Sequence, residues 1–324
     1  DLVGPAVPAV FRGPSYAPDL SEADRRRRLA DWLANPAQPL TARVLVNRVW
    51  QGHFGTGLVE TPSDFGHSGG RPSHPELLDW LASEFLRSGG SLKQLHRLIA
   101  PSATYRQSSR VRPDLEERDP LNKLLARQTR LRLDAEVVRD VALVASGQFN
   151  PKLGGPPVFP PQPDGVMNLG QVKREWKPST GADRYRRGLY THLWRATPHP
   201  ALAVFDGTDG FSACTRRLRS NTPLQALTLL NDEQFYEFAQ ALAQRVQREA
   251  TGDLAAQLTH AFRLCVARAP SAPELARVTA LYREQLNAAT GDEERLPAIT
   301  DFRGSSRIEY DGDALIILDK QGTG

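Results

Sequence analysis

Cysteine is nearly absent from this 324-residue chain; the two present, Cys214 and Cys265, form no CxxC or CxxCH spacing. A zinc knuckle, a dithiol centre and a covalently attached haem therefore have no ligands here, and no cofactor is expected in the chain itself. Lysine is scarce too, at Lys93, Lys123, Lys152, Lys173, Lys177 and Lys320, so 41 basic residues are mostly arginine. No apolar run nears the roughly 18 residues that a membrane-spanning helix needs. The opening Asp1-Leu2-Val3-Gly4-Pro5 lacks the pattern of a signal peptide and reads as a cut inside a longer protein. GxxxxGK[ST], GxGxxG and HExxH are also missing, which sets aside the enzyme classes built on those motifs.

What is present is ordinary globular composition, 40% hydrophobic and 24% charged, long enough for about two domains or one large one with insertions. The 41 basic residues face 37 acidic ones, and a net charge of +4 spread along the chain gives no electrostatic footprint for nucleic acid. Arginine still supplies planar, multi-donor partners for carboxylates or phosphates wherever it becomes buried.

The hydrophobic spacing predicts a mainly α fold: an irregular multi-helical globular chain with a long Pro/Gly-rich segment and at most minor β. Residues 1–20 read as a linker, 21–149 as an N-terminal helical part, 150–215 as an irregular segment and 216–298 as a C-terminal helical part. Ser21 caps a helix carrying Leu29, Trp32 and Leu33, and Thr41 is placed to cap a second with Leu45, Val46, Val49 and Trp50; both are expected in the core. Further helices are expected after Ser73, after Ser91, from Asp119-Pro120 and from Asp134, the last ending at Gly147. Seven prolines between 151 and 178 exclude regular helix there. A short strand is expected near Leu189–Leu193, followed by helices from Thr222-Pro223, Asp232, Leu254 and Ser271.

Gly66-His67-Ser68-Gly69-Gly70 matches GxSxG, but its flanks are polar and proline-bearing rather than strand and helix, so a glycine loop is the better reading. Asp64, His67 and His74 have metal-like spacing without a completing cluster, and no metal is expected. Arg216, Arg217 and Arg219 run into Thr222, where free helix amides and guanidinium forks together make an anion site. The competing reading pairs those arginines with carboxylates such as Asp206 or Asp209. Arg25–Arg28 lie at the wrong end of their helix for positive charge, which suits a solvated face. Trp32, Trp50 and Trp80 recur on apolar faces as core anchors.

Several strings resemble one family: Leu40-Thr41-Ala42-Arg43-Val44-Leu45-Val46-Asn47-Arg48-Val49-Trp50, His53-Phe54-Gly55-Thr56-Gly57-Leu58-Val59, His74-Pro75-Glu76-Leu77-Leu78-Asp79-Trp80, Tyr105-Arg106-Gln107-Ser108-Ser109, and Asn221-Thr222-Pro223-Leu224-Gln225-Ala226-Leu227. Over about residues 5–290 the chain is similar to the C-terminal domain of unknown function in large planctomycete cytochrome-c-associated surface or periplasmic proteins. The resemblance implies an exported, extracytoplasmic multidomain parent, c-type haem in an absent upstream domain, and the parent's other domains as partners. It implies no catalytic residues. Residues 299–324 do not resemble that family; Thr300–Leu318 is similar to a short piece of the RecA-like core of replicative helicases, reading as a foreign or misjoined tail with a strand at Ala314–Leu318.

Three functions follow as expectations. The first is a binding or scaffolding module recognising an acidic polymer or glycan through Arg216, Arg217, Arg219 and Thr222. The second is a hydrolytic or redox-coupled enzyme using Asp64, His74, Arg106 and Asp206 as acid, base and anion stabiliser. The third is a structural partner for the cytochrome domain, which requires a large exposed apolar patch.

Overall fold

A computed structural model of the chain describes residues 19–169 and 174–291, with a few isolated positions before residue 19. Among the described residues the structure is helical and contains no strand; β pairing is limited to two isolated bridges, Asn150 with Arg186 and Val158 with Thr191. No helix there is long and apolar enough to cross a membrane. The chain divides into two compact units between Leu131 and Arg132.

The first unit contains α1 (Glu22–Ala34), α2 (Pro39–Phe54), α3 (Pro75–Arg87), α4 (Leu92–Ile99) and two single turns, α5 (Ala103–Arg106) and α6 (Pro113–Glu116). Its core joins Val46, Trp50 and Phe54 of α2 to Leu78, Leu81 and Phe85 of α3 and to Leu95 and Ile99 of α4. Ser21 and Ser91 cap α1 and α4 as their sequence suggests, accepting from the amides of Asp24 and Gln94. Helix α2 instead starts at Pro39, with Gln38 accepting from the Leu40 amide. Thr41 is already inside that helix, and its hydroxyl donates to the Leu33 carbonyl at 2.8 Å, tying α2 to α1. Helix α1 buries no side chain fully, and Trp80 is 47% exposed, so neither is the core element its apolar residues suggest. The helix expected from Asp119 is absent, because Asn122 and Leu125 adopt positive φ (53° and 56°) and Asp119 caps a turn through the amides of Lys123 and Leu124.

The second unit holds α7 (Ala135–Ser146), α8 (Pro200–Val204), α9 (Pro223–Asn231), α10 (Glu233–Glu249), α11 (Leu254–Val266) and α12 (Ala272–Gly291). Helix α10 packs on α7, α9 and α11, and α11 on α12. Phe238, Leu242 and Val246 repeat at four residues along the buried face of α10. Helix α7 ends where Gly147 takes φ 79°, a left-handed conformation that favours glycine, and Arg245 donates to the terminal carbonyls of Val144 and Ala145.

Between α7 and α8 the Pro/Gly-rich chain wraps around side chains instead of forming a ladder. Arg186, 1% exposed, donates to the carbonyls of Lys152, Gly154 and Pro156 and stacks on Tyr190 at 3.9 Å. The strand expected at Leu189–Leu193 is a 3₁₀ turn, Gly188–Tyr190, followed by the single bridge at Thr191. Asp140 accepts from the Gly188 amide at 2.6 Å, which locks that turn against α7.

Candidate functional site

In the second unit the arginines before α9 have two fates. Arg217 makes a two-point contact with Glu136 at 2.5 and 3.1 Å, and Arg219 reaches Asp134 at 3.3 Å. Glu136 belongs to the first turn of α7 and Asp134 is the residue before it, so neither carboxylate comes from the 206–209 loop. Burial raises the Glu136 pKa, but the Arg217 guanidinium outweighs it and holds the carboxyl below its ordinary value. Arg216 is exposed and has no hydrogen-bond or ion-pair partner among the described residues. Thr222 closes a capping box with Gln225, so its hydroxyl is spent on the helix start.

Asp206 sits at φ 56° and accepts from the Ser220 amide and hydroxyl and from Arg132. Burial works to raise its pKa, yet those donors keep it lowered, so the carboxylate fastens the 206–220 loop in its charged form. In the first unit, Asp64 accepts from the Gly66 amide at 2.8 Å and His74 contacts its neighbour Ser73 at 3.0 Å. Arg106 is exposed at the end of α5, and no hydrogen bond or ion pair links these three side chains. Among the described residues no three His, Cys, Asp or Glu side chains are grouped to hold a metal ion.

Polar residues that the spacing did not single out form a buried network under the wrap. Arg139 donates to the Gln234 side chain and to the Arg184 carbonyl at 2.8 Å, lies over the Phe238 ring, and is lowered by burial to about 10. His199 donates from Nε2 to the Pro161 carbonyl at 2.9 Å, and burial lowers its pKa to about 4, so it is neutral. Arg184 and Tyr185 both donate to Glu237. Each charge here joins the wrap to α7 or α10.

A second constellation unforeseen from the sequence lies in the first unit. His53, in the last turn of α2, and His96, in the last turn of α4, meet with Nε2 and Nδ1 2.8 Å apart. The Tyr105 ring stands edge-on to His53, with centroids 5.2 Å apart, and to Phe54. Burial, with a smaller contribution from His96, lowers the His53 pKa. A 43-residue separation carries no motif, and only the packing of α2 and α4 through α3 brings the rings together.

The second unit also holds an apolar concavity. A cleft of about 200 Å³ runs along α7 and α10, lined by Leu133, Val138, Val141, Ala142, Leu230 and Phe238, with Tyr236 and Cys265 at its polar points. Burial pushes the Cys265 thiol up to about 11, so it is protonated and unreactive at neutral pH. The apolar surface continues outside it: Val137 and Val144 on α7, and Leu224 and Leu227 on α9, are exposed, as are Val141 and Leu229 of the lining itself.

Fold and site together define a mainly helical protein whose second unit carries an apolar cleft, without a recognised catalytic motif. The chain belongs to the PSD1 family, described as a protein of unknown function (DUF1553), whose model matches residues 25–282. No curated protein and no solved structure matches it. The helicase-like stretch and the expected strand at Ala314–Leu318 lie beyond that match and outside the described residues, as does most of the 1–20 linker.

Proposed function

We propose that the chain is a binding or scaffolding module whose second-unit cleft receives an apolar helical face from another domain of its parent protein. One observation carries this reading: the cleft of about 200 Å³ opens onto exposed valines of α7 and leucines of α9, while the charges nearby are already paired with one another. A groove of this kind takes the i, i+3, i+4 side chains of an amphipathic helix. An apolar surface rimmed by internally neutralised charges suits a protein partner better than a polyanion. The partner domain, the haem it carries in relatives, and an extracytoplasmic setting enter from the resemblance and form part of the proposal.

The second reading, an acidic polymer or glycan held at Arg216, Arg217 and Arg219, is favoured by the exposed and unpartnered Arg216. An anion there has to compete with Glu136 and Asp134 for the other two guanidiniums. One assay separates the readings. Nile red should bind the chain saturably, be displaced by a synthetic leucine–lysine amphipathic helix, and lose its site in Ala142→Trp with unchanged helical circular dichroism. Nile red binding left intact by Ala142→Trp ends the cleft reading. Heparin binding abolished by Arg216→Ala with Arg217→Ala would establish the anionic one.

A further inference from the structure

We propose that His53 and His96 form a two-imidazole site for a late first-row divalent metal ion, copper(II) in preference to nickel(II) or zinc(II). The two ring nitrogens already face each other at 2.8 Å on the ends of different helices. Imidazole–metal bonds of about 2.0–2.1 Å with an angle between square and tetrahedral place two ligand nitrogens about 2.9–3.4 Å apart. An opening of a few tenths of an ångström, with a turn of each ring that aims both lone pairs at one point beside the N–N line, converts the contact into a chelate.

The backbone under both ligands is fixed. Phe54 beside His53 and Leu95 beside His96 are each 2% exposed in the first-unit core. Tyr105 holds the His53 ring plane from the side, and His96 is exposed, so the outer coordination positions face water. Both residues lie in the final turn of their helices, where unsatisfied carbonyls carry partial negative charge and favour a cation. Ligation keeps both imidazoles neutral and releases no net proton: the proton held between the rings moves by tautomerisation, so that each ring keeps one, on Nδ1 of His53 and on Nε2 of His96. Copper(II) heads the divalent affinity order for such a nitrogen site, which sets the stated preference.

The test is calorimetric titration of the full chain with copper(II), nickel(II) and zinc(II), alongside electron paramagnetic resonance of the copper form. The expected result is one copper(II) per chain with a two-nitrogen signature, weakened about tenfold or more in His96→Ala, a surface change that leaves the core intact, and likewise in His53→Gln. His260→Ala, whose ring pairs with Glu249 in the other unit, should bind as the parent does. Copper affinity unchanged in His96→Ala, or an ion held instead by the exposed Cys214, overturns the proposal.

Discussion

Single side chains replace missing backbone order at several points. Asn47 is fully buried and exchanges both of its amide hydrogen bonds with the backbone of Val59, at 2.8 and 3.0 Å, doing for the 55–60 turn what a neighbouring strand does elsewhere. Asn47→Ala strands a buried donor and a buried acceptor, and equilibrium urea unfolding should show a loss of about 2–4 kcal/mol. Asn47→Asp keeps the acceptor but sets a buried carboxylate oxygen against the Val59 carbonyl, and should cost at least as much. Nothing in the sequence marks Asn47, because a polar residue on an otherwise apolar helix face looks like an exposed interruption until the turn that it satisfies is seen. Arg139, Arg186 and His199 were hidden for the same reason: burial of a charged or polar residue is decided by partners far away in the chain. The arginines before Thr222 were visible as a group, yet their carboxylate partners, 81 and 85 residues away, were not.

At the scale of elements, several helix starts were legible, since one side chain and one amide two or three residues on determine each, but Thr41 lies inside α2 and Asp134 makes no side-chain cap. Ser21, Ser91, Thr222 and Asp232 all accept from first-turn amides, while Asp253, which the sequence reading did not name, caps α11 in the same way. Thr222→Ala removes the hydroxyl half of the α9 capping box and should lower stability by about 1 kcal/mol in thermal unfolding, while Thr222→Ser retains most of it. Burial direction was less legible. Helix α9 presents Leu224, Leu227 and Leu229 outward and buries Gln225, whose side chain donates to the Val204 carbonyl and to the Ser220 hydroxyl. Periodicity identifies a stripe of leucines but does not say that the stripe faces away from the chain's own core. The helix expected after Asp119 failed for a local reason, two left-handed residues in one turn.

For the molecule as a whole, a mainly helical fold followed from the 3.6-residue apolar period, and the wrap from its prolines. The cleft did not follow, because its lining comes from α7, α9, α10 and α11 together. The buried polar network makes stability depend on pH in two stages. His199 titrates near 4 in the folded chain and near 6.5 when unfolded, so the unfolded state binds the extra proton between those values. Its contribution is intact above pH 6.5 and is lost as pH falls to about 4, by up to about 1.4 kcal/mol per pH unit and about 3 kcal/mol in all. Glu136, Asp206 and Glu237, held below their ordinary values by arginine, serine and tyrosine donors despite burial, add a second loss as pH falls through the acid range. Asp232, raised by burial, offsets part of it. Urea titrations from pH 8 to 4 should show the first stage in the parent chain and a flatter profile in His199→Gln, which retains a donor for the Pro161 carbonyl; equal slopes would place His199 outside the linkage.

The Arg186 clamp gives the Pro/Gly-rich stretch a property its composition conceals. A protease must draw several residues into an extended pose and take over their carbonyls with its own donors. Around Lys152, Gly154 and Pro156 those carbonyls are already held by a guanidinium that solvent barely reaches. Between Lys152 and Pro156, cleavage has to wait until Arg186 itself lets go.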